Sequence, residues 1–264
     1  MLNVVTVAIV VGVFGAAYYY WQQFQAKPEV VVQAPAPKLP STPPKPEIRQ
    51  VVESAPVPPE LPQLDASDHY VFNALTDLIA NKSLMKIFIS EQIIHNIVAT
   101  VDNLPSQRAP MSVMPIEPAH GKFLTAGKDA DLIVSPKNVM RYKLYVSFAE
   151  AIDAEKLVEL YVQLYPLFQQ SYAELGYPKK YFNDRLIFAL DDLLAAPDVQ
   201  EPVRLVQPKY YYQFANPDLE KRSIGQRILM RIGSHNEAIV KAKLNEIKQA
   251  LRLHMHEEKI NAVE

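Results

Sequence analysis

Asp153-Ala154-Glu155-Lys156-Leu157-Val158-Glu159-Leu160-Tyr161-Val162-Gln163-Leu164-Tyr165-Pro166-Leu167-Phe168, running on to Gly176-Tyr177-Pro178, is the stretch that decides the fold class. Asp153 offers a short carboxylate able to cap free backbone N–H groups. Leu157, Leu160, Tyr161, Leu164, Tyr165 and Phe168 then recur at steps of three and four, which lays a broad apolar stripe along one helix face. The helix stops near Gly176-Tyr177-Pro178.

The same period extends in both directions. Upstream, Asp65-Ala66-Ser67-Asp68 reads as a helix start, followed by Val71, Leu75, Leu78 and Ile79 at helical spacing. A second short helix covers Leu84 to Ile89. Ser90 caps a third with Ile93, Ile94, Ile97, Val98 and Val101 inward, ended by Leu104-Pro105. Residues 105–121 hold four prolines and read as a loop. Lys122 to Thr125 and Leu132 to Val134 flank Gly127-Lys128-Asp129 as a small hairpin, and Ser135-Pro136 opens a helix to about Ile152. Downstream, a helix runs from Tyr181 to Ala195 and is stopped by Pro197. Val203 to Val206 and Tyr210 to Phe214 are extended, Asn216-Pro217-Asp218 opens a turn, and Ser223 to Ile232 is helical. Ser234-His235-Asn236-Glu237 has capping-box spacing. It precedes a last helix with Val240, Leu244, Ile247 and Leu251 on one face, fraying toward the C-terminus. The reading is a mainly α, multi-helix globular domain over residues 65–260 with one small β-hairpin.

The first quarter of the chain differs. Residues 1–26 read as a transmembrane anchor, because Leu2 to Trp21 is apolar and carries no ionisable side chain. At 1.5 Å per residue, about 20 residues cross roughly 30 Å of hydrocarbon. Leu2, Val4, Val5, Ile9, Val10 and Phe14 face lipid, and Tyr18, Tyr19, Tyr20 and Trp21 form an aromatic belt at the headgroups. A cleaved signal peptide is the competing reading, with Gly15 and Ala17 as small residues, but no Lys or Arg precedes the run. Residues 27–64 read as a disordered proline-rich linker, with eleven prolines from Pro28 to Pro62. Proline fixes φ and lacks an N–H, so such a segment favours polyproline II and reaches at most about 115 Å. Several PxxP spacings are present, and a stalk explains them more simply than a docking motif does.

Composition excludes several chemistries. The chain has no cysteine, so thiol nucleophiles, disulfides and thiolate metal sites are ruled out, and a net charge of -2 gives no reason to expect nucleic acid. There is no GxSxG, HExxH or GxGxxG. Gly121 to Lys128 is one residue too long for a phosphate loop and lacks Ser or Thr after Lys128, so a hairpin tip is expected there. His254 and His256 fall on different helix faces, while His254 and Glu258 share one. The reading assigns no metal and no cofactor. The densest polar cluster is Tyr181-Phe182-Asn183-Asp184-Arg185-Leu186 at a helix start. Tyr181, Asn183, Asp184 and Arg185 are its binding candidates, together with Asp102 and Asn103 at the end of the third helix, and Lys209. The plainer reading is that Asn183 or Asp184 caps the helix and Arg185 pairs with a buried carboxylate. Tyr210, Tyr211 and Tyr212 suit protein or glycan contact if exposed and a core if buried.

Leu64-Asp65-x-Ser67-Asp68, Val98-Ala99-Thr100-Val101-Asp102-Asn103-Leu104-Pro105, Leu164-Tyr165-Pro166-Leu167-Phe168, Glu174-Leu175-Gly176-Tyr177-Pro178, Tyr181-Phe182-Asn183-Asp184-Arg185-Leu186 and Pro208-Lys209 together resemble the bacterial domain of unknown function 3014. Ser223-x-Gly225-Gln226 and Val240-Lys241-Ala242-Lys243-Leu244 extend the resemblance over most of residues 64–252. It implies a Gram-negative single-pass membrane protein with a proline-rich stalk, and it implies no activity. The lack of a basic residue before the apolar run departs from that pattern. The functional expectation is an inner-membrane protein whose domain sits in the periplasm and binds an envelope protein or a wall component. The alternative is a hydrolase-like envelope enzyme using the cluster around Asp184 and Arg185.

Overall fold

Aliphatic and aromatic residues at helical spacing build most of the structure, a computed structural model that describes residues 47–52, 61–79 and 81–260. All of these lie in one unit, Pro46–Glu264. Among the described residues the helices are α1 (Asp68–Leu78), α2 (Ile93–Asn103), α3 (Asn138–Ala151), α4 (Ala154–Glu174), α5 (Phe182–Leu194), α6 (Pro217–Glu220), α7 (Ile224–Arg231) and α8 (Ser234–His254). Short strands β1 (Glu47–Val52), β2 (Thr125–Ala126), β3 (Ile133–Val134), β4 (Leu205–Val206), β5 (Gln213–Phe214) and β6 (Met255–Ile260) form three antiparallel pairs, β1 with β6, β2 with β3 and β4 with β5. The mainly helical domain is therefore as the sequence reads, but it carries three small antiparallel pairs where one hairpin is expected. The apolar run 2–21 lies outside the described residues. Among those described, no helix is long and apolar enough to cross a membrane.

Helix α4 is the spine. It begins where expected, with Asp153 Oδ1 accepting from Lys156 N at 3.1 Å. It passes through Pro166 and packs against α2 and α8, while α2 and α8 also pack on α5. Ile93, Ile94, Val98, Leu164 and Phe182 are fully buried in the main core. Each such side chain contributes about 1.5–3 kcal/mol of burial. The aromatic centre is continuous: Phe168 and Phe182 stack with centroids 5.6 Å apart, Tyr161 lies 5.1 Å from Phe168, and Tyr172 lies 5.6 Å from Phe182. Offset and tilted aromatic pairs add about 0.5–1.5 kcal/mol beyond area.

Several helix starts differ from the local reading, each for a reason that lies far along the chain. Asp68 does not cap α1. Its Oδ2 accepts from Gln92 N at 2.7 Å and its Oδ1 from Ile93 N at 2.8 Å, so it caps α2 from across the fold. Gln92, not Ser90, is the N-cap of α2, with φ at 51°. That left-handed backbone costs on the order of 1 kcal/mol, which the carboxylate offsets. The expected capping box at Ser234 is absent, because Gly233 at φ 94° moves the start of α8 back by one residue. Ser234 Oγ instead donates to Glu201 Oε1 at 3.1 Å, and Glu237 is buried against Lys241 at 2.9 Å.

The ends of the domain also differ. Inside the segment read as linker, the proline-free run Glu47–Val52 pairs with Met255–Ile260 in register Glu47↔Ile260 to Val52↔Met255. Residues 255–260 thus form a strand after α8, and the helical face proposed for His254 and Glu258 does not continue. Leu61 and Leu64 pack on the main core, so packing begins slightly before residue 65. The hairpin is shorter than read, β2 against β3, with Gly127 at φ 76°. A Cβ there would sit 2.1 Å from Asp131 O, so the glycine serves a tight turn.

Candidate functional site

The polar cluster that the sequence singles out is assembled where the end of α2 meets the start of α5. Arg185 Nε lies 2.8 Å from Asp102 Oδ1, and its Nη2 donates to the Asp102 carbonyl. The guanidinium therefore meets a carboxylate and the negative end of the α2 dipole at once. Tyr177 Oη donates to the other Asp102 oxygen at 3.4 Å, and the Arg185 guanidinium lies 5.3 Å from the Phe188 ring centroid. Asn103 Nδ2 donates back to Ala99 O at 2.8 Å and closes the last turn of α2. Asn183 is fully buried and accepts from Tyr161 Oη at 2.5 Å.

The start of α5 is held by a residue the sequence reading missed. Tyr181 is the N-cap residue. Gln169 of α4 accepts from Phe182 N at 2.9 Å and from Tyr165 Oη at 3.0 Å, and donates to Lys180 O at 2.8 Å. Asp184 acts on Tyr165: burial first, and then that carboxylate and Tyr181, push the phenol up to about 12. Burial and the Asp102 carboxylate likewise raise Tyr172 to about 12, and burial holds Tyr161 well above the usual phenol range. Six of the seven binding candidates thus come together, and Asp102, Asn183 and Arg185 among them join helices. The seventh, Lys209, stands exposed in the β4–β5 loop, beside a different core cluster.

A second polar joint holds α5 to α7. Ser223 Oγ donates to Asp192 Oδ2 at 2.5 Å and accepts from Gln226 N, while Gln226 Nε2 donates to Asp192 Oδ1 and to its carbonyl. Gly225 N donates to Leu104 O at 3.0 Å, so the Leu104-Pro105 turn rests directly on the α7 backbone. These contacts explain the Ser223-x-Gly225-Gln226 pattern as fold chemistry.

Two of the concave regions of the domain are largely apolar and aromatic. One is a groove of about 640 Å³ between the 114–123 loop, α3, the β4–β5 loop and α7. Tyr142, Tyr145, Tyr211 and Tyr212 line it with Arg141 and Arg231. Arg141 is spent on the loop, donating to the carbonyls of Ala119, His120 and Gly121 and to Tyr142 Oη. Tyr145 Oη donates to Glu117 O at 3.0 Å, and burial raises its pKa. Arg231 donates to Tyr212 O and lies 4.9 Å from the Phe214 ring centroid, and burial lowers its pKa. The walls are therefore braced, while Tyr210 and Tyr211 are 87% and 83% exposed beside it. Three consecutive tyrosines were the sequence signal, and only burial could decide their role.

The other is a cavity of about 410 Å³ among the helices, lined by aliphatic and aromatic side chains. Water needs two to four polar partners to settle in such a space. The lining offers one polar side-chain group, the Tyr161 hydroxyl, which already donates to Asn183.

No group of three or more His, Asp or Glu side chains with metal-binding geometry occurs among the described residues. The family model described as "Protein of unknown function (DUF3014)" matches residues 93–248, more than half of the chain, and the chain belongs to that family. Neither a curated protein nor a solved structure matches it.

Proposed function

We propose that this member of the DUF3014 family is a membrane-anchored protein of the bacterial envelope whose helical domain is a binding module for another envelope protein or a wall component. The observation that carries the binding reading is the braced groove walled by four tyrosines, with Tyr210 and Tyr211 standing free at its edge. Tyrosine and arginine dominate the energetically decisive positions of protein interfaces, because they bury large area at low entropic cost. The anchor rests on the apolar run Leu2 to Trp21, and the stalk on the prolines that follow it. In this reading the N-terminus is cytoplasmic and the domain periplasmic. A phosphatase reporter that works only outside the cytoplasm, fused to the C-terminus, tests that orientation. An inactive fusion of normal abundance removes it.

The hydrolase-like alternative loses support from the commitment of Arg185 to Asp102. Photo-crosslinking in cells decides between a groove and no site. A photoreactive phenylalanine replacing Tyr211 is expected to give a discrete adduct. The same residue replacing Glu159, on the outer face of α4, is expected to give none. Equal adducts at both positions, or none at either, would end the groove reading.

A further inference from the structure

The central cavity is walled by the helices themselves. Leu75 of α1, Val101 of α2, Phe148 of α3, Leu160 of α4, Leu186 of α5 and Ile247 of α8 all face it. No Lys, Arg, Asp, Glu or His is among its lining residues, so nothing there solvates a charge or anchors water. The Tyr161 phenol, the single titratable group in the lining, stays protonated because burial raises its pKa. An occupant of matching chemistry is uncharged and apolar over its whole inserted length.

Volume narrows the class. An apolar cavity of about 150 Å³ takes one benzene ring, six carbons, so about 410 Å³ has room for roughly 16 carbons. We infer that the cavity binds a single aliphatic chain of about that length, as in a fatty acid or one acyl chain of a lipid, with its polar head outside. The inference does not depend on the tyrosine groove and would stand if that reading fell. It does gain sense from a chain whose sequence reads as anchored in lipid.

The test uses the full chain reconstituted in phosphatidylcholine vesicles, with fatty acids of increasing length carrying a photoreactive group on the chain. A parallel arm uses a phospholipid carrying the same group on one acyl chain, which separates a free acid from a membrane lipid as the source. Label is expected on peptides containing Leu160, Leu186 or Ile247. Affinity is expected to rise about fourfold per methylene and to level off near about 16 carbons, where the space is full. Saturating unlabelled ligand is expected to raise the thermal midpoint by about 5–10 °C. Leu160→Trp, which fills the space, is expected to abolish cavity labelling while the helical circular dichroism is kept. Ala189→Leu narrows the same cavity by a smaller change and serves if the tryptophan variant does not fold. Label confined to residues 1–26, or affinity independent of chain length, would overturn the inference.

Discussion

The joint between α2 and α5 and the groove beside Tyr211 are opposites in chemistry. The joint holds a carboxylate, a guanidinium, buried amides and phenols, and its resolved pairings run to other parts of the same chain. The groove is mostly apolar, with its arginines tied to loop carbonyls and its outer tyrosines left to solvent. A dense polar motif in sequence marked the place where helices must be fitted together. Polar groups caught between packed helices cost about 1–3 kcal/mol each unless paired, so a joint needs specific residues as strictly as an active site does. The surface proposed for a partner came from aromatic residues whose role no spacing rule decides.

The most drastic way to test the interior half of this comparison is alkali. Tyr165 and Tyr172 are held near 12 and Tyr161 well above the ordinary 10.0. A raised folded pKa means that the unfolded chain releases its protons first. The stability these groups contribute is complete below about pH 10 and is lost as pH rises through about 12. Lys241 adds to the same trend. Burial alone would lower its pKa, but hydrogen bonds and charges from Asp198 and Glu237 outweigh that and raise it. Helical circular dichroism and the late phase of tyrosinate absorbance, which belongs to the interior phenols, are expected to change together between those limits. Tyr172→Phe is expected to move the midpoint to higher pH. Tyrosinate forming fully near pH 10 with the helices intact would show that these phenols are not interior.

Next in size is the ion pair itself. Arg185→Ala leaves the Asp102 carboxylate among packed side chains with the Tyr177 hydroxyl in reach. The expected loss is roughly 2–3 kcal/mol, below the full penalty for a broken buried pair because both side chains keep partial exposure. In denaturant titrations the double variant with Asp102→Ala is expected to lose less than the sum of the two single variants. A variant of unchanged stability that no longer captures its partner would move Arg185 from the joint to a site.

Gly225→Ala probes the second joint. A Cβ there would lie 2.6 Å from Leu193 Cδ2 and 3.2 Å from Leu104 O. The leucine tip can move, but the carbonyl belongs to a turn that also receives the Gly225 N–H. Overpacking of about 1–3 kcal/mol is set against a gain of about 1 kcal/mol from removing a helical glycine. A net loss of about 1 kcal/mol, or a fall of about 2–4 °C in thermal midpoint, is expected. An unchanged or higher midpoint would mean that the turn and α7 are less closely apposed.

Legibility in the sequence followed the range of the forces involved. The stripe from Leu157 to Phe168 and the Asp153 cap were readable because a helix's partners lie three or four residues away. The pairing of Arg185 with a buried carboxylate was foreseen as a type, but its partner, 83 residues upstream, was not identified as such. Asp68 was misplaced for the same reason, since its cap reaches Ile93, 25 residues on. Gln169 gave no signal at all, because a glutamine in a helix interior is ordinary until another helix start lies beside it. The cavity and the groove are spaces between elements, and no single stretch of sequence encodes them.

The smallest expected change in stability carries the sharpest test of the comparison. Tyr210→Ala with Tyr211→Ala removes two exposed rings whose truncation is expected to shift unfolding by no more than about 0.5 kcal/mol. If the groove is where a partner docks, the same pair of changes removes interface anchors, each worth about 2 kcal/mol or more, so capture should fall at least 30-fold. Stability and capture then separate cleanly: Arg185→Ala moves the first, and the tyrosine pair moves the second. Capture that survives loss of both tyrosines would leave the groove as a mere dent in the surface. The contrast between joint and groove would then reduce to a difference in burial alone.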